Sequence, residues 1–229
     1  MTENSSGSDP AGGQGRPKPL KAERRWPMAV AVLAAVALQI GTPHHGRLPI
    51  WWVFPVVEVV VLVLLIVEDP GRIDRRTRSS RGLTLGLIAF MTVGTTGGLM
   101  VLMYEIITSA HGMTAGVLLG RGASLWVTNV IVFSLWYWEV DRGGPAERAA
   151  GSGIAPSFAF PENAMPEFAP EGWLPRYPDY LYLSFTNATA FSPTDTLPVR
   201  TWAKMTMMLE SAMSLVTAIL VVARAINIL

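Results

Sequence analysis

The sequence contains no cysteine and little charge. The absence of cysteine from its 229 residues excludes disulfides, thiolate metal ligands and a cysteine nucleophile. Only 15% of the residues are charged, whereas a soluble domain usually has about 25%. The formal net charge is +1, and the basic residues form short clusters beside apolar stretches. The composition therefore gives no reason to expect a nucleic-acid partner.

The few charges are unevenly distributed along the chain. Five long apolar stretches contain only three charged residues, Glu58, Glu105 and Glu210; the stretches are residues 28–40, 50–67, 83–108, 123–138 and 205–222. Apolar stretches of this length are typical of membrane spans. The sequence predicts an all-α polytopic membrane protein with about five transmembrane helices and a re-entrant half-helix, described below.

Two basic clusters predict the orientation of the N-terminal half. The first lies in residues 1–25, a Ser/Gly/Pro-rich segment that we expect to be a disordered tail, and the second lies in the loop after the second apolar stretch. The clusters are Arg16, Lys18, Lys21, Arg24 and Arg25, and Arg72, Arg75, Arg76, Arg78 and Arg81. Because basic loops stay in the cytoplasm, we expect a cytoplasmic N-terminus. We also expect a three-helix membrane region over residues 26–110 and integration into the plasma membrane.

The C-terminal half, residues 111–229, has a different character. After an apolar helix, residues 145–178 contain seven prolines and no apolar period, which predicts an extended extramembrane loop. A short semi-apolar segment, a polar turn and a long apolar helix follow. Because irregular backbone at membrane depth must be surrounded by protein or water, this order favours a re-entrant unit around a symmetry axis and hence a homo-oligomer.

The residues of this unit carry a family resemblance. Residues 182–199, YLSFTNATAFSPTDTLPV, resemble without a gap the pore helix and filter of the tetrameric potassium-channel superfamily, and residues 203–204, 208–210 and 221–224 resemble its inner helix. The resemblance implies an outer helix in the fourth span, a pore helix at 179–190, a filter-like turn at 191–198 and an inner helix at 200–228. It also implies a homotetramer that passes monovalent cations.

The central turn departs from the family pattern. The family has Thr-Val-Gly-Tyr-Gly there, and its carbonyl groups replace the hydration shell of the ion. Because Pro193 fixes φ near −65° and no glycine is present, we expect no carbonyl-lined potassium filter. Rings of Thr189 hydroxyls and Asp195 carboxylates would give weak cation selectivity. The Ser-Pro-Thr-Asp sequence at 192–195 also suits a plain turn and helix N-cap, in which Ser192 or Asp195 satisfies free amides. The complete filter-like set is Thr189, Ala190, Phe191, Ser192, Pro193, Thr194 and Asp195.

Three functions therefore remain open. The first is a weakly selective cation channel, the second is a non-conducting membrane scaffold or sensor with a pore-like fold, and the third is a proton-coupled transporter of small solutes. The third requires Glu58 and Glu105 to face one cavity, whereas a structural Glu58 would make an interhelical hydrogen bond. We find no catalytic or cofactor motif in the sequence and expect neither an enzyme nor a bound cofactor.

The charge count and the resemblance disagree on the orientation of the turn. Five spans with a cytoplasmic N-terminus place the filter-like turn on the cytoplasmic side, but the channel family has it outside. Either the resemblance is one of fold without orientation, or a further crossing is hidden, for instance at residues 111–122, or the first span does not cross.

Overall fold

The structure, a computed structural model, describes residues 23–42, 49–68, 78–108, 114–170, 172–189 and 195–228. Within these ranges it contains eight α-helices and one two-stranded antiparallel sheet. The helices are α1 (Trp26–Gly41), α2 (Val53–Glu68), α3 (Arg78–Ile107), α4 (Ala115–Val140), α5 (Pro145–Ala150), α6 (Pro161–Ala164), α7 (Tyr177–Thr189) and α8 (Thr201–Ile228), and the strands are β1 (Phe158–Ala159) and β2 (Leu197–Pro198).

Three of the described helices are long and apolar enough to cross a membrane. Their qualifying segments are Ser80–Ile107, Ala115–Ala150 and Thr201–Ile226. Helices α1 and α2 have 16 residues each. At 1.5 Å per residue they are about 24 Å long, less than the roughly 30 Å of a hydrocarbon core. A polytopic helical membrane protein fits these lengths, but the predicted count of about five spans is not supported.

Helix α4 lies at the centre of the bundle and packs against α1, α3, α7 and α8. Its contact with α8 is close because α8 buries a stripe of mostly small or polar residues at spacings of three or four. Small and polar residues at helix contacts are typical of membrane proteins. Gly122 of α4 lies where a β-carbon would come within 2.6 Å of a Val221 methyl group. The buried stripe of α8 is Ala203, Met207, Glu210, Ser214, Thr217, Val221 and Ala225.

Several termini meet at one end of the bundle, which we call the cap end. The backbone nitrogen of Tyr177, where α7 begins, donates to Glu23 Oε1 just before α1, over 2.6 Å. Arg81 near the start of α3 lies 3.8 Å from Glu139 near the end of α4. Helices α7 and α8 both begin at this end.

The proline-rich segment forms a folded cap, which corrects the prediction of an extended loop over 145–178. It contains α5, β1 and α6, and β1 pairs with β2 so that Phe158 lies opposite Pro198. Phe158 is fully buried, and its ring lies 5.1 Å from that of Tyr137 and 5.7 Å from that of Trp202. Aromatic packing explains why this segment is folded, since the Phe158 ring inserts between helices that are distant in sequence.

Asp141 anchors the cap to the bundle. Its carboxylate accepts a hydrogen bond from the Ser157 backbone nitrogen and another from the Tyr180 hydroxyl, each over 2.6 Å. Arg148 of α5 donates to the backbone oxygens of Trp138 and Asp141, at 2.7 and 3.0 Å. The cap is thereby attached to both α4 and α7.

Two further sequence expectations differ from the structure. The tail was predicted to be disordered up to residue 25, but Arg25 is buried and donates to the Leu65 backbone oxygen over 2.5 Å. Residues 1–22 lie outside the described ranges. The hidden crossing suggested for residues 111–122 is not found in the described part, where α4 is one helix from Ala115 onward.

Candidate functional site

The segment predicted to be a re-entrant unit comprises α7, β2 and α8; residues 190–194, between α7 and β2, lie outside the described ranges. Helix α7 starts at the cap end and has 13 residues, so it reaches about 18 Å into the bundle. The described chain resumes at Asp195 at the cap end, where β2 pairs with β1 immediately before α8 begins. Helix α7 therefore ends inside the bundle with its carbonyl groups directed away from the cap end.

A buried cluster of four polar side chains attaches α7 to α4 and α8; we call it the Glu210 cluster. Glu210 of α8 is 0% exposed. Its Oε2 accepts hydrogen bonds from the Tyr137 hydroxyl at 2.5 Å and from Asn187 Nδ2 at 2.6 Å, and its Oε1 contacts the Ser184 hydroxyl. Both oxygens of the carboxyl group thus have partners on the two neighbouring helices.

The count of donors in the Glu210 cluster favours a protonated Glu210. The Ser184 hydroxyl has a single hydrogen but lies against two acceptors, Glu210 Oε1 and the Val130 backbone oxygen, which is 2.7 Å away. A protonated Glu210 satisfies all of these groups, because its O–H donates to Ser184 while Ser184 donates to Val130. This assignment also avoids a charge in the apolar region, where an ionised carboxylate is costly.

A second set of polar contacts lies one turn away from the carboxyl group. Asn187 donates its other N–H to the Met207 backbone oxygen at 3.0 Å, and Ser211 lies 3.2 Å from Asn187 Oδ1. Asn129 of α4 donates to the Ser214 hydroxyl over 3.0 Å. Interhelical hydrogen bonds of this kind hold membrane helices in register. The position of α7 is consequently fixed by its neighbours on both sides.

Most of the predicted filter-like residues lie outside the described ranges, namely Ala190, Phe191, Ser192, Pro193 and Thr194. The flanking pair is described. The Thr189 hydroxyl donates to the Thr186 backbone oxygen of its own helix at 2.9 Å. Asp195 is exposed and lies near β2 at the cap end.

The other two acidic residues within the apolar stretches have separate partners. Glu58 is 0% exposed, and Gln39 Nε2 of α1 donates to its two oxygens at 3.0 and 2.9 Å. Glu105 of α3 forms a 2.6 Å ion pair with Arg121 of α4. Each acid thus links two neighbouring helices.

A cavity of about 200 Å³ lies between α1, α2, α3 and α4. Its lining includes Gln39 and Arg121 but neither Glu58 nor Glu105. The transporter hypothesis required both carboxylates to face one cavity, and this cavity does not meet the requirement. The other lining residues are Leu38, Ile40, Thr42, Trp51, Trp52, Phe54, Pro55, Gly94, Thr95, Gly98, Ser124, Leu125 and Thr128.

Sequence reasoning identified Glu210 as an intramembrane acid but missed its three partners, Tyr137, Ser184 and Asn187. One weak signal was available, because Ser184 and Asn187 are three residues apart and so share a face of α7. Tyr137 was interpreted only as part of an interfacial aromatic belt. Among the described residues, no group of three or more metal-ligating side chains lies close enough to hold an ion.

Comparisons with known proteins do not extend these observations: no known protein family, curated protein or solved structure matches the chain.

Proposed function

We propose that the chain is a plasma-membrane protein whose re-entrant units, brought together in a homotetramer, form a weakly selective path for monovalent cations. The observation that carries the proposal is the arrangement of α7, β2 and α8: α7 enters from the cap end and stops inside the bundle, and β2 and α8 begin again at the cap end. A helix that ends within the membrane is followed by irregular backbone, which is tolerated there only where protein surrounds it or where it borders water, as in an ion path.

The direction of α7 favours cations over anions. Its C-terminus, at Thr189, is the end that points into the bundle. The C-terminus of a helix carries a partial charge of about −0.5, which attracts cations within the last turn. Exposed Asp195 adds a carboxylate near the mouth of the turn at the cap end. Both features supply negative potential without an ordered carbonyl cage, so weak selectivity follows.

Helices α7 and α8 offer an apolar face to a second copy. Helices α1 and α3 cover other faces of α4, while α7 and α8 leave apolar side chains uncovered. The exposed residues include Tyr182, Phe185, Met208 and Leu209. Apposition of these faces around an axis would bring the four re-entrant turns together.

The proposed orientation follows the charge count. The starts of α1 and α3, which the two basic clusters flank, both lie at the cap end. We therefore place the cap end, with Asp195, in the cytoplasm. The proposed likeness to the channel family is then one of fold, with the opposite orientation.

Flux measurements on purified protein in liposomes test the channel proposal. We expect K⁺ and Na⁺ flux above that of empty vesicles, reduced in Asp195→Asn. Glu167→Gln is the matched control, because Glu167 is also an exposed acid at the cap end. Absence of flux for both ions, or equal flux in Asp195→Asn and wild type, would contradict the proposal.

The second candidate is a non-conducting scaffold or sensor, which one specific observation favours. The Glu210 cluster and Thr189 satisfy their hydrogen bonds within a single chain, as a unit built only to pack helices would do. This candidate predicts no flux and no requirement for four subunits. Native mass spectrometry of the protein in detergent, alongside the flux assay, distinguishes the two candidates.

A further inference from the structure

We propose that the cavity between α1, α2, α3 and α4 is a binding site for a small uncharged aromatic molecule that bears one hydrogen-bond acceptor. The cavity is separate from the re-entrant unit, so this site does not depend on the function proposed above. Its size, aromatic walls, charge balance and one polar side chain each restrict the ligand.

The volume of the cavity sets the size of the ligand. An apolar cavity of about 150 Å³ is large enough to bind benzene. This cavity, of about 200 Å³, therefore accommodates one aromatic ring with a few additional atoms. Trp51, Trp52 and Phe54 form part of its wall and can pack against such a ring.

The charges around the cavity favour an uncharged ligand. Arg121, the charged side chain of the lining, is already paired with Glu105 at 2.6 Å, so a bound anion would compete with that carboxylate. A bound cation would find no carboxylate in the lining, which includes neither Glu58 nor Glu105.

Ser124 provides the polar contact. Serine and threonine hydroxyls in helices commonly donate to the carbonyl group four residues earlier. The lining residues Thr95 and Thr128 do so, at 2.9 and 2.8 Å. In the described part of the chain, the Ser124 hydroxyl makes no hydrogen bond. It is therefore available to donate to a carbonyl oxygen of a ligand in the cavity.

Three probes of nearly equal shape test the chemistry of the site. They are 4-methylacetophenone, which has a carbonyl group, 4-isopropyltoluene, which replaces it with hydrocarbon, and 4-methylbenzoate, which replaces it with an anion. We expect saturable binding of radiolabelled 4-methylacetophenone to the full chain in lipid nanodiscs, after subtraction of empty nanodiscs. The hydrocarbon and the anion should compete several times less well than the unlabelled ketone.

Two substitutions test the location. Ser124→Ala removes one hydrogen bond and should weaken ketone binding about three- to tenfold, in line with a net contribution of about 1 kcal/mol. Ser124→Leu fills the cavity and should abolish binding, whereas Ala123→Leu is a matched control on an exposed position of the same helix. Far-UV circular dichroism and gel filtration verify the fold of each variant.

The binding results of the two variants and the three probes decide whether the site exists. Saturable binding that is lost in Ser124→Leu and kept in Ala123→Leu supports the site. The proposal is overturned by absence of saturable binding, by binding that survives in folded Ser124→Leu, by equal competition from the hydrocarbon, or by stronger competition from the anion.

Discussion

Replacement of Glu210 tests the hydrogen assignment in the Glu210 cluster. If Glu210 is protonated, glutamine is nearly its isostere, since the amide N–H₂ can donate to Ser184 while the amide oxygen accepts from Tyr137 and Asn187. We therefore expect Glu210→Gln to leave the free energy of unfolding within about 1 kcal/mol of the wild-type value, as fits the replacement of one neutral hydrogen-bonding group by another. Leucine, which has a similar volume, can make none of these hydrogen bonds.

The expected loss in Glu210→Leu follows from the contacts of the carboxyl group. Three interhelical hydrogen bonds disappear, those with Tyr137, Asn187 and Ser184. Such bonds contribute about 0.6 kcal/mol on average in a membrane protein and at most about 1.7 kcal/mol. The loss of all three should lower the free energy of unfolding of Glu210→Leu by about 2–5 kcal/mol.

The assay is reversible unfolding in mixed micelles with increasing sodium dodecyl sulfate, followed by the loss of helical circular dichroism. Tyr137→Phe is an additional arm, because it removes one donor and keeps the ring. Tyr137→Phe should lower the free energy of unfolding by about 0.5–1.5 kcal/mol if the Glu210 carboxyl group is neutral and by about 1.5–3 kcal/mol if it is charged. A Glu210→Gln variant as unstable as Glu210→Leu would refute the assignment.

Three further predictions concern packing, charge and the cap. Gly122→Leu should lower the free energy of unfolding by about 1–3 kcal/mol through overpacking, and Gly120→Leu, where a β-carbon meets nothing within 4 Å, should not. Arg121→Met and Glu105→Gln each break a buried ion pair, and each should lower the free energy of unfolding by up to about 3–5 kcal/mol in a thermal unfolding assay. The double variant should be more stable than the less stable of the two single variants. Asp141→Asn should lower the free energy of unfolding by about 1–3 kcal/mol, because the amide N–H₂ group cannot accept one of the two hydrogen bonds that the carboxylate accepts. Limited proteolysis should then cut the cap faster, and an unchanged cleavage rate would contradict the role of Asp141 as an anchor.

The sequence predicted much of the membrane region because apolar length is a strong signal. The helices that the family resemblance implied at 179–190 and 200–228 lie within two residues of α7 and α8, while their roles as pore helix and inner helix stay predictions. The stretch 83–108 likewise lies within α3 except for its last residue. Span number was less predictable, since α1 and α2 are apolar but end after 16 residues.

The cap was missed because its order depends on contacts that local sequence does not reveal. Proline spacing and the absence of an apolar period indicate a loop when residues 145–178 are considered alone. Phe158 and Phe160 become ordered only because rings from other elements surround them: Phe160 packs 5.3 Å from Tyr180, and Phe158 lies 5.7 Å from Trp202. Such long-range contacts leave no periodic pattern.

The candidate site was predictable only in part for a similar reason. A single acid in an apolar helix, such as Glu210, stands out at once because an ionised group there is costly. Its partners do not, since tyrosine, serine and asparagine are ordinary residues in many membrane helices. Which of them meet depends on the rotation of α4, α7 and α8 about their axes, and composition does not specify rotation.

The position of Glu210 in the chain has a consequence for biosynthesis. Helix α7 leaves the ribosome before α8, and its 13 residues are too few to cross a bilayer alone. Its polar side chains Ser184 and Asn187 meet their shared partner, Glu210, only when α8 has been made. The contacts between α7 and α8 therefore form late, and we expect chains that stop before residue 210 to hold α7 mainly through its contacts with α4.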